Sequence, residues 1–319
     1  MPLDEFDLIR RYFTRPLANT VLGVGDDAAL VAPTPGQQLA ISADTLVEGR
    51  HFFAGADPES LGWKSLAVNL SDMAAMGAVP RWYTLCLTLP SADPVWLAGF
   101  ARGLNLLADR AGVELIGGDT TSGPLAISIQ ILGEVPPDRA LRRGGAQAGD
   151  EVWLSGPTGA AAMAVRHRYG QLRLEGDDLR LCEARLDRPE PRLALGRALQ
   201  GLATAAIDVS DGLLADLGHI ARRSGLAATL ELGDLPQPPL SDEACALPDF
   251  DACLLAGGDD YELCFTVPAE RHAEVLALGR QLGLPLACIG RMSVGEGVSV
   301  LDCTGRPVTL AAHGFNHFA

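Results

Sequence analysis

Positive charge is scarce in this 319-residue chain, where 25 Lys and Arg face 40 Asp and Glu and the formal net charge is -15. A nucleic-acid backbone needs a basic surface that displaces its counterions, so nucleic acid is not an expected partner. An anionic small molecule stays compatible with this balance if metal cations bridge the charges. Hydrophobic residues make up 48% of the chain, which is enough to bury the cores of two ordinary domains.

Long apolar runs and paired cysteines are missing as well. No stretch approaches the roughly 18 apolar residues of a membrane-spanning helix, and the first residues, MPLDEFDLIRRYF, lack the apolar centre of a secretion signal. The seven cysteines include no C-x-x-C pair, which favours reduced thiols and a cytoplasmic location. The sequence contains no HExxH motif and no Cys/His zinc spacing, which disfavours a zinc site of these types. It also contains no EF-hand loop and no GxxxxGK[ST] motif, which disfavours an EF-hand calcium site and a P-loop.

Strand-like and helix-like segments alternate, which predicts an α/β fold. In the first half we expect strands at 38–43, 81–89, 113–117 and 125–135, with helices at 58–78 and 94–112. In the second half, strands fit EVWLSG, AAIDVS, AATLEL, YELCFTV, ACIGRM and VSVLD, and helices fit GLLADLGHIARRSG and AERHAEVLALGRQLG. The segment 135–150 holds two prolines and three glycines, so it separates an N-terminal domain at 1–138 from a C-terminal domain at 149–319.

Acidic residues gather in five short clusters beside glycine or other small residues. These clusters are GDD at 25–27, SADT at 42–45, GGDT at 117–120, DVSDG at 208–212 and GGDDYE at 257–262. One such cluster is a weak signal because Asp favours turns, but most of the five directly follow an apolar strand, which suggests convergence on one site. Carboxylate oxygens select Mg²⁺ or a similar ion, and such ions usually accompany a nucleotide polyphosphate.

Asp72 stands in the predicted helix 58–78 with apolar residues on almost every side. A carboxylate desolvated there needs a proton or a cation, because an unpaired buried charge is costly. The alternative is a solvated helix edge, where Asp72 pairs with Lys64 or with a backbone group. The other acidic clusters favour the cation.

Backbone amides and a few cations are then needed to hold phosphate. The candidates are Gly117 and Gly118, the helix-opening segment SGPTGAAA at 155–162, and the arginines Arg142 and Arg143. For the two arginines, a solvated linker is the alternative that stays open.

Together these residues resemble the thiamine-monophosphate kinase family, within the aminoimidazole-ribonucleotide-synthetase-like group of ATP-binding enzymes. The resemblance covers nearly the whole chain and follows, in order, GVGDDAAL, SADTLVEGRHF, WKSLAVNLSDMAAMGAVPRW, GVELIGGDTT, LRRGGAQAGDEVWLSG, DVSDGLLADL, GGDDYELCFT and GFNHF. It implies an α/β fold with mixed sheets in a homodimer, whose N-terminal domains form a barrel-like core and whose C-terminal domains close over nucleotide and substrate. It also implies the last step of thiamine diphosphate synthesis, by direct in-line transfer of the γ-phosphoryl group of ATP to thiamine monophosphate with several Mg²⁺ ions. A need for a monovalent cation stays open.

The resemblance carries site residues over to matching motif positions. The Mg²⁺ positions are Asp27, Ser42, Ala43, Asp44, Asp72, Asp119, Asp208 and Asp211, with Ala43 contributing at most its carbonyl oxygen. The ATP positions are Gly118, Asp119, Arg143 and Ser210, and the thiamine monophosphate positions are His51, Asp259 and Phe315. Asp259 stands where relatives often carry Glu, so its carboxylate reaches less far. Asp26 is expected to shape the turn beside Asp27, and no general base or covalent nucleophile is expected.

Two alternatives stay open. One is another ATP-using enzyme of the same group, of the purine-biosynthesis or hydrogenase-maturation type, although SADTLVEGRHF and GFNHF are the substrate-side signatures of the thiamine enzymes. The other is a non-catalytic metal- or nucleotide-binding module, in which the acids only hold ions. Formation of thiamine diphosphate from ATP and thiamine monophosphate separates all three.

Overall fold

Residues 5–308 are described by the computed structural model, and their contacts divide them into two units. The first unit comprises 5–73 and 78–138, and the second comprises 74–77 and 139–308. Within 5–308, no helix combines the length and the hydropathy needed to cross a membrane.

The first unit is built on a four-stranded mixed sheet. Its elements are α1 (Glu5–Leu8), a π-helical turn (Ile9–Phe13), β1 (Thr20–Leu22), β2 (Leu30–Val31), β3 (Gln38–Val47), α2 (Pro58–Ala75), β4 (Val79–Leu89), α3 (Pro94–Ala111), β5 (Glu114–Ser122) and β6 (Ala126–Val135). The strand order is β3-β6-β4-β5, in which β4 and β5 are parallel and the other neighbours antiparallel, while β1 and β2 pair separately. The end of α2, from residue 74 onwards, belongs to the second unit.

Alternating apolar residues place one face of this sheet in the core. On β6, every second residue from 127 to 131 is buried, as the period of two in a strand requires. A Cβ at Gly133 on the same face would lie 2.7 Å from the sulfur of Met73, so α2 packs closely on the sheet. A Cβ at Gly103 of α3 would lie 1.7 Å from a backbone oxygen of α2, so these two helices touch main chain to main chain. These contacts fix the helix that carries Asp72.

The opposite face of β3 is apolar and exposed. Leu39, Ile41 and Val47 alternate along this edge strand and expose 40%, 58% and 37% of their surface. Within the described residues the sheet stays open and closes no barrel.

The second unit is built on a six-stranded mixed sheet. Its elements are β7 (Glu151–Leu154), α4 (Ala160–Arg168), α5 (Gly176–Asp187), α6 (Leu193–Ala198), β8 (Ala205–Asp208), α7 (Leu213–Ser224), β9 (Ala227–Glu231), α8 (Asp242–Cys245), α9 (Phe250–Ala256), β10 (Leu263–Val267), α10 (His272–Leu282), β11 (Ala287–Ser293) and β12 (Gly297–Leu301). The strand order is β12-β9-β11-β7-β10-β8, in which β9 and β12 are parallel and the other neighbours antiparallel. Every residue of β7, β8 and β10 is buried, which explains their continuous apolar runs.

The predicted α/β fold with mixed sheets is confirmed, and the boundaries differ in informative places. α2 ends at Ala75 because the chain turns at Gly77, whose φ of 66° is the left-handed conformation that glycine adopts at low cost. β3 continues to Val47 and β5 to Ser122, so SADT and GGDT lie within strands rather than after them.

Candidate active site

A cavity of about 610 Å³ lies in the first unit beside the turn between β1 and β2. Its lining consists of Ile9, Phe13, 24–29, Thr84, Leu85 and 115–120. It therefore brings together three predicted site residues, Asp27, Gly118 and Asp119. An apolar wall with an acidic, glycine-rich rim suits a ligand that combines a ring system with phosphate and its cations.

The two acids of the turn differ in what they contact. The carboxylate of Asp26 accepts the backbone N–H of Asp27 at 2.9 Å, and both side chains are exposed. Gly25, directly before them, has a φ of 122°, which an L side chain rarely adopts. The local hydrogen bond gives Asp26 a role in holding the turn, as the sequence predicts, and the carboxylate of Asp27 takes no part in that bond.

Gly118 of β5 lies directly against the main chain of β4. Its φ is 148°, and a Cβ there would lie 1.8 Å from the carbonyl oxygen of Leu85. No larger residue fits without moving a strand. The next residue, Asp119, is exposed at the rim of the cavity.

A second pair of predicted residues meets between β3 and α2. The hydroxyl of Ser42 donates a hydrogen bond to the carboxylate of Asp72, and both residues are half-buried. Ser42 and Asp44 share one face of β3 because side chains alternate along a strand, whereas Ala43 points to the exposed face. Asp72 is thus neither fully desolvated nor at a solvated edge, and the oxygens gathered here are those that a hard cation prefers.

In the second unit, Asp208, Ser210 and Asp211 lie in the turn 209–212 and at the end of the strand before it. The carboxylate of Asp216, in the first turn of α7, accepts the backbone N–H groups of Ser210, Asp211 and Gly212 at 3.0, 3.0 and 3.2 Å. Asp216 is absent from the predicted site residues, although an acid in the first turn of a helix is a recognisable signal for such a contact. It fixes the main chain of the turn that carries two of them.

Asp208 ends β8, is buried, and lies near Asp216. Burial raises the pKa of Asp216 to about 7, with the charge of Asp208 adding to the rise and the backbone N–H of Asp211 opposing it. Two buried carboxylates in this position repel each other, and a cation would relieve that repulsion. The residues at this turn therefore fit a metal ion.

Main-chain hydrogen bonds join the acidic segment 257–262 to the turn 209–212. The N–H groups of Asp259 and Tyr261 donate to carbonyl oxygens of the turn at 2.9 and 2.8 Å. Both residues have a positive φ, 68° and 52°, which costs a non-glycine residue on the order of 1–3 kcal/mol. The Tyr261 hydroxyl donates to the Asp259 carboxylate at 3.1 Å. Strain of this kind is typical of functional sites, and here it positions a predicted substrate-binding acid.

The carboxylate of Asp260, between those two strained residues, contacts a different segment of the chain. Both of its oxygens accept the backbone N–H of Gly159, at 3.0 and 2.9 Å, where α4 begins. Burial raises the pKa of Asp260 well above its ordinary value, and the N–H of Gly159 opposes the rise only in part. Burial therefore favours the protonated form of Asp260 in the folded state.

The raised pKa of Asp260 predicts a pH dependence of stability. Above about pH 4 this group loses its proton in the unfolded state more readily than in the folded state, so it lowers stability as the pH rises towards its folded pKa. The stability of wild type relative to Asp260→Asn should thus fall as the pH rises above about 4, by at most about 1.4 kcal/mol per pH unit, in urea unfolding curves.

Asp302 offers a control of opposite sign for this experiment. A hydrogen bond from the Thr304 hydroxyl, with the N–H groups of Arg306 and Thr304, lowers the pKa of Asp302. The stability of wild type relative to Asp302→Asn should rise as pH increases through the acid range. A wild-type advantage over Asp260→Asn that grew with pH would show that Asp260 is ionised in the folded protein.

The other predicted residues fall in three places. Arg143 lies near His219 of α7. Burial lowers the pKa of His219, the charge of Arg143 lowers it further, and the charge of Asp211 opposes this change. His51 lies beyond the end of β3, where its Nδ1 accepts the N–H of Val47 at 3.0 Å. Since that nitrogen accepts, the neutral ring carries its proton on Nε2. Phe315 lies outside the described residues.

Comparison with known proteins matches both halves of the chain to one family. Residues 25–135 match the AIR synthase related protein, N-terminal domain, and residues 147–303 match the AIR synthase related protein, C-terminal domain. The thiamine-monophosphate kinase of Salmonella typhimurium is 47% identical over 329 residues, which cover 100% of this chain and 99% of that relative.

Solved structures give the same result. The crystal structure of thiamine-monophosphate kinase from Stenotrophomonas maltophilia has a TM-score of 0.86 and 47% identity, and the match covers 94% of this chain and 97% of that one. The structure of AaThiL complexed with AMPPCP and TMP has a TM-score of 0.78 and 30% identity, with 98% and 97% covered.

Proposed function

The chain belongs to the thiamine-monophosphate kinase family of AIR synthase related proteins, and we propose that it transfers the γ-phosphoryl group of ATP to the phosphate of thiamine monophosphate. The products are ADP and thiamine diphosphate. The observation that carries this proposal is the 47% identity to a thiamine-monophosphate kinase over the whole chain. The alternative activities, of the purine-biosynthesis and hydrogenase-maturation types, are not supported by a comparable sequence identity.

In the first unit, we assign Asp27, Gly118 and Asp119 to ATP and its Mg²⁺. They line one cavity whose apolar wall suits a nucleotide base, and Gly118 lets the main chain approach a phosphate closely. Ser42, Asp44 and Asp72, with the carbonyl of Ala43, would hold further Mg²⁺. When bound, such ions neutralise negative charge on the transferring phosphates.

In the second unit, we assign Asp208 and Asp211 to Mg²⁺, Ser210 and Arg143 to ATP, and Asp259 to thiamine monophosphate. Support comes from the hydrogen bonds that fasten Asp259 to the turn carrying Ser210, so that these positions are set together. We thus propose that the domain at 1–138 binds ATP and Mg²⁺ and dimerises, while the domain at 149–319 supplies further contacts to nucleotide and substrate.

No proton has to be removed by a side chain in this reaction. The attacking atom is a phosphate oxygen of thiamine monophosphate, which is anionic at neutral pH. The chain therefore contributes by orienting two anionic substrates and by placing positive charge between them. We also place the reaction in the cytoplasm, where thiols stay reduced, in keeping with seven free cysteines.

Incubation of the purified chain with ATP, Mg²⁺ and thiamine monophosphate tests the function. We expect thiamine diphosphate and ADP in equal amounts, separated by chromatography, and no ADP when thiamine replaces its monophosphate. ADP release without thiamine diphosphate would indicate another enzyme of the group. Binding of ATP without any turnover would indicate a non-catalytic module.

His51 is proposed to bind thiamine monophosphate rather than to move a proton. Loss of a hydrogen bond to a charged phosphate weakens binding by about 10-fold or more, so His51→Ala should raise KM for thiamine monophosphate by that factor with kcat nearly unchanged. His167→Ala is a matched control, because the His167 ring accepts a backbone N–H, that of Leu174, in the same way. A fall in kcat alone in His51→Ala would refute this role.

We further propose a homodimer formed through the exposed face of β3. Ile41 is 58% exposed on an edge strand of an open sheet, an arrangement that a second copy can cover by completing a barrel. Ile41→Glu should convert a dimer to monomers in light scattering after gel filtration. Val294→Glu, at an apolar residue that is 87% exposed outside this face, should stay dimeric. A monomeric wild type, or a dimeric Ile41→Glu, would exclude this interface.

A further inference from the structure

A cluster of ligand-type side chains that the proposed reaction does not use lies in the second unit. A carboxylate oxygen of Glu151, a ring nitrogen of His272 and the sulfur of Cys288 all lie within 4.8 Å of one another. They come from three elements, β7, α10 and β11, at positions far apart in the sequence. No zinc motif in the sequence announces such a group, because these motifs depend on short spacings.

The sheet brings two of the three residues together. Glu151 and Cys288 stand on the adjacent antiparallel strands β7 and β11, where Cys288 pairs with Trp153, two residues from Glu151 on the same face. A bulge follows Cys288 in β11 and shifts the register there. His272 opens α10 and lies on Trp153, with ring centroids 4.9 Å apart. The three donors are therefore held by packed strands and a helix rather than by a loop.

Neighbouring side chains hold the carboxylate of Glu151 in place. Its side chain is only 6% exposed, and Oε2 accepts the indole N–H of Trp153 at 3.2 Å while lying 2.8 Å from Nδ1 of His272. Oε1 faces Arg291 at 3.3 Å. A carboxylate oriented by hydrogen bonds from neighbouring groups is the usual state of a metal-binding carboxylate, and an ionised carboxylate has acceptor sites to spare.

Solvent reaches the cluster on one side. The side chains of His272 and Arg291 are 43% and 61% exposed, so an ion can approach past them and Arg291 can turn outward into water. Glu151 is buried, and Cys288 is partly buried. The arrangement thus has an inner side formed by the Glu151 carboxylate and a partly open outer side, which leaves room for water.

We propose that Glu151, His272 and Cys288 form a binding site for Zn²⁺, with water as the fourth ligand. One carboxylate oxygen, one imidazole nitrogen and one thiolate are a donor set of zinc in proteins, and the thiolate selects against Mg²⁺. Coordination displaces the thiol proton to solvent, and a His272 nitrogen that binds the ion must carry no proton, so a metal bound at Nδ1 would replace the hydrogen bond from Nδ1 to Glu151 and leave the ring proton on Nε2. This site is separate from the oxygen-only positions assigned to Mg²⁺, and it does not depend on the proposed kinase activity.

Cobalt(II) is a suitable probe, because it takes zinc sites and reports a thiolate ligand by an absorption band. The full-length chain, kept in excess Mg²⁺, should bind one Co²⁺ with a thiolate-to-cobalt band and release it to Zn²⁺. Cys288→Ser should abolish the band, and both Cys288→Ser and His272→Gln should weaken Co²⁺ binding by about 100-fold or more. Cys303→Ser, at an exposed thiol, should change neither. Mg²⁺-dependent phosphoryl transfer should be unaltered in Cys288→Ser, which also shows that this variant folds.

Three results would overturn the zinc site. They are a wild type without a thiolate band, a band that persists in Cys288→Ser, and Co²⁺ affinity that neither variant lowers. A chain that binds Co²⁺ as expected but makes no thiamine diphosphate would refute the proposed function and leave the zinc site standing. If the zinc site failed while the kinase assay succeeded, the contacts of Glu151 with His272 and Arg291 would serve only to join β7, α10 and β11.

Discussion

Asp27→Asn should lower kcat for thiamine diphosphate formation by about 100-fold or more, whereas Asp26→Asn should lower it by no more than about 10-fold. The two acids are adjacent, exposed, and border the same cavity. They differ because the Asp26 carboxylate accepts the N–H of Asp27, a local bond that Asn can also accept through its amide oxygen. Only Asp27 is assigned to Mg²⁺, and replacement by a neutral amide removes the charge that such an ion requires.

Asp26→Asn is the matched control for Asp27→Asn, since each variant removes one negative charge from the same turn. Circular dichroism and thermal unfolding should be alike for the two, because neither side chain is buried. Raising the Mg²⁺ concentration should restore part of the activity of Asp27→Asn if the loss comes from weaker metal binding. Equal losses in both variants would end the division of roles between Asp26 and Asp27.

The sequence predicted the helices and strands whose capping residues or apolar periodicity lie within the element or directly beside it. The helix expected at 94–112 spans Pro94–Ala111, and it begins and ends where its capping residues predict. Asp93 accepts the N–H of Val95 at 2.9 Å, and Gly112 has a φ of 67°. The strand expected at 125–135 spans Ala126–Val135, because its alternation reflects a buried and an open face. By contrast, the short helices α6, α8 and α9 carry too few turns for a periodic signal.

Non-local contacts decided the rest of the candidate site. Asp44 and Asp119 lie inside strands, although Asp favours turns, because pairing of β3 with β6 and of β5 with β4 extends past them. Asp216 and Asp260 were not predicted as site residues. The position of Asp216 in the first turn of a helix is a signal that could have found it, whereas the partner of Asp260 is a backbone N–H group that carries no sequence signal. The cluster of Glu151, His272 and Cys288 likewise has no sequence signal, because only the packing of β7, β11 and α10 brings it together.

Glu262→Gln should destabilise the protein by about 3–5 kcal/mol, and so lower its thermal midpoint by about 6–20 °C. Glu262 is 3% exposed, and its oxygens accept hydrogen bonds from Arg192, at 2.7 Å for Nε to Oε2, and from the Ser155 hydroxyl. Burial lowers the pKa of Arg192, but the hydrogen bond and charge of Glu262 outweigh it and raise the pKa. Loss of the carboxylate leaves a buried guanidinium charge without its partner, which is the costly event.

Removal of both charges should lower the stability less than removal of the Glu262 charge alone. In the double variant Arg192→Met/Glu262→Met, apolar side chains fill the site and no charge is left buried. The thermal midpoint of this double variant should therefore lie above that of Glu262→Gln. Glu175→Gln breaks an ion pair with Arg173 whose side chains are 71% and 85% exposed, and its midpoint should stay at the wild-type value. A double variant as unstable as Glu262→Gln would mean that packing and the Ser155 hydrogen bond, rather than the unpaired charge, set the stability of this segment. In that case the pair would affect the nearby residues Asp259 and Tyr261, which have a positive φ, through the packing of this segment and not through its charge.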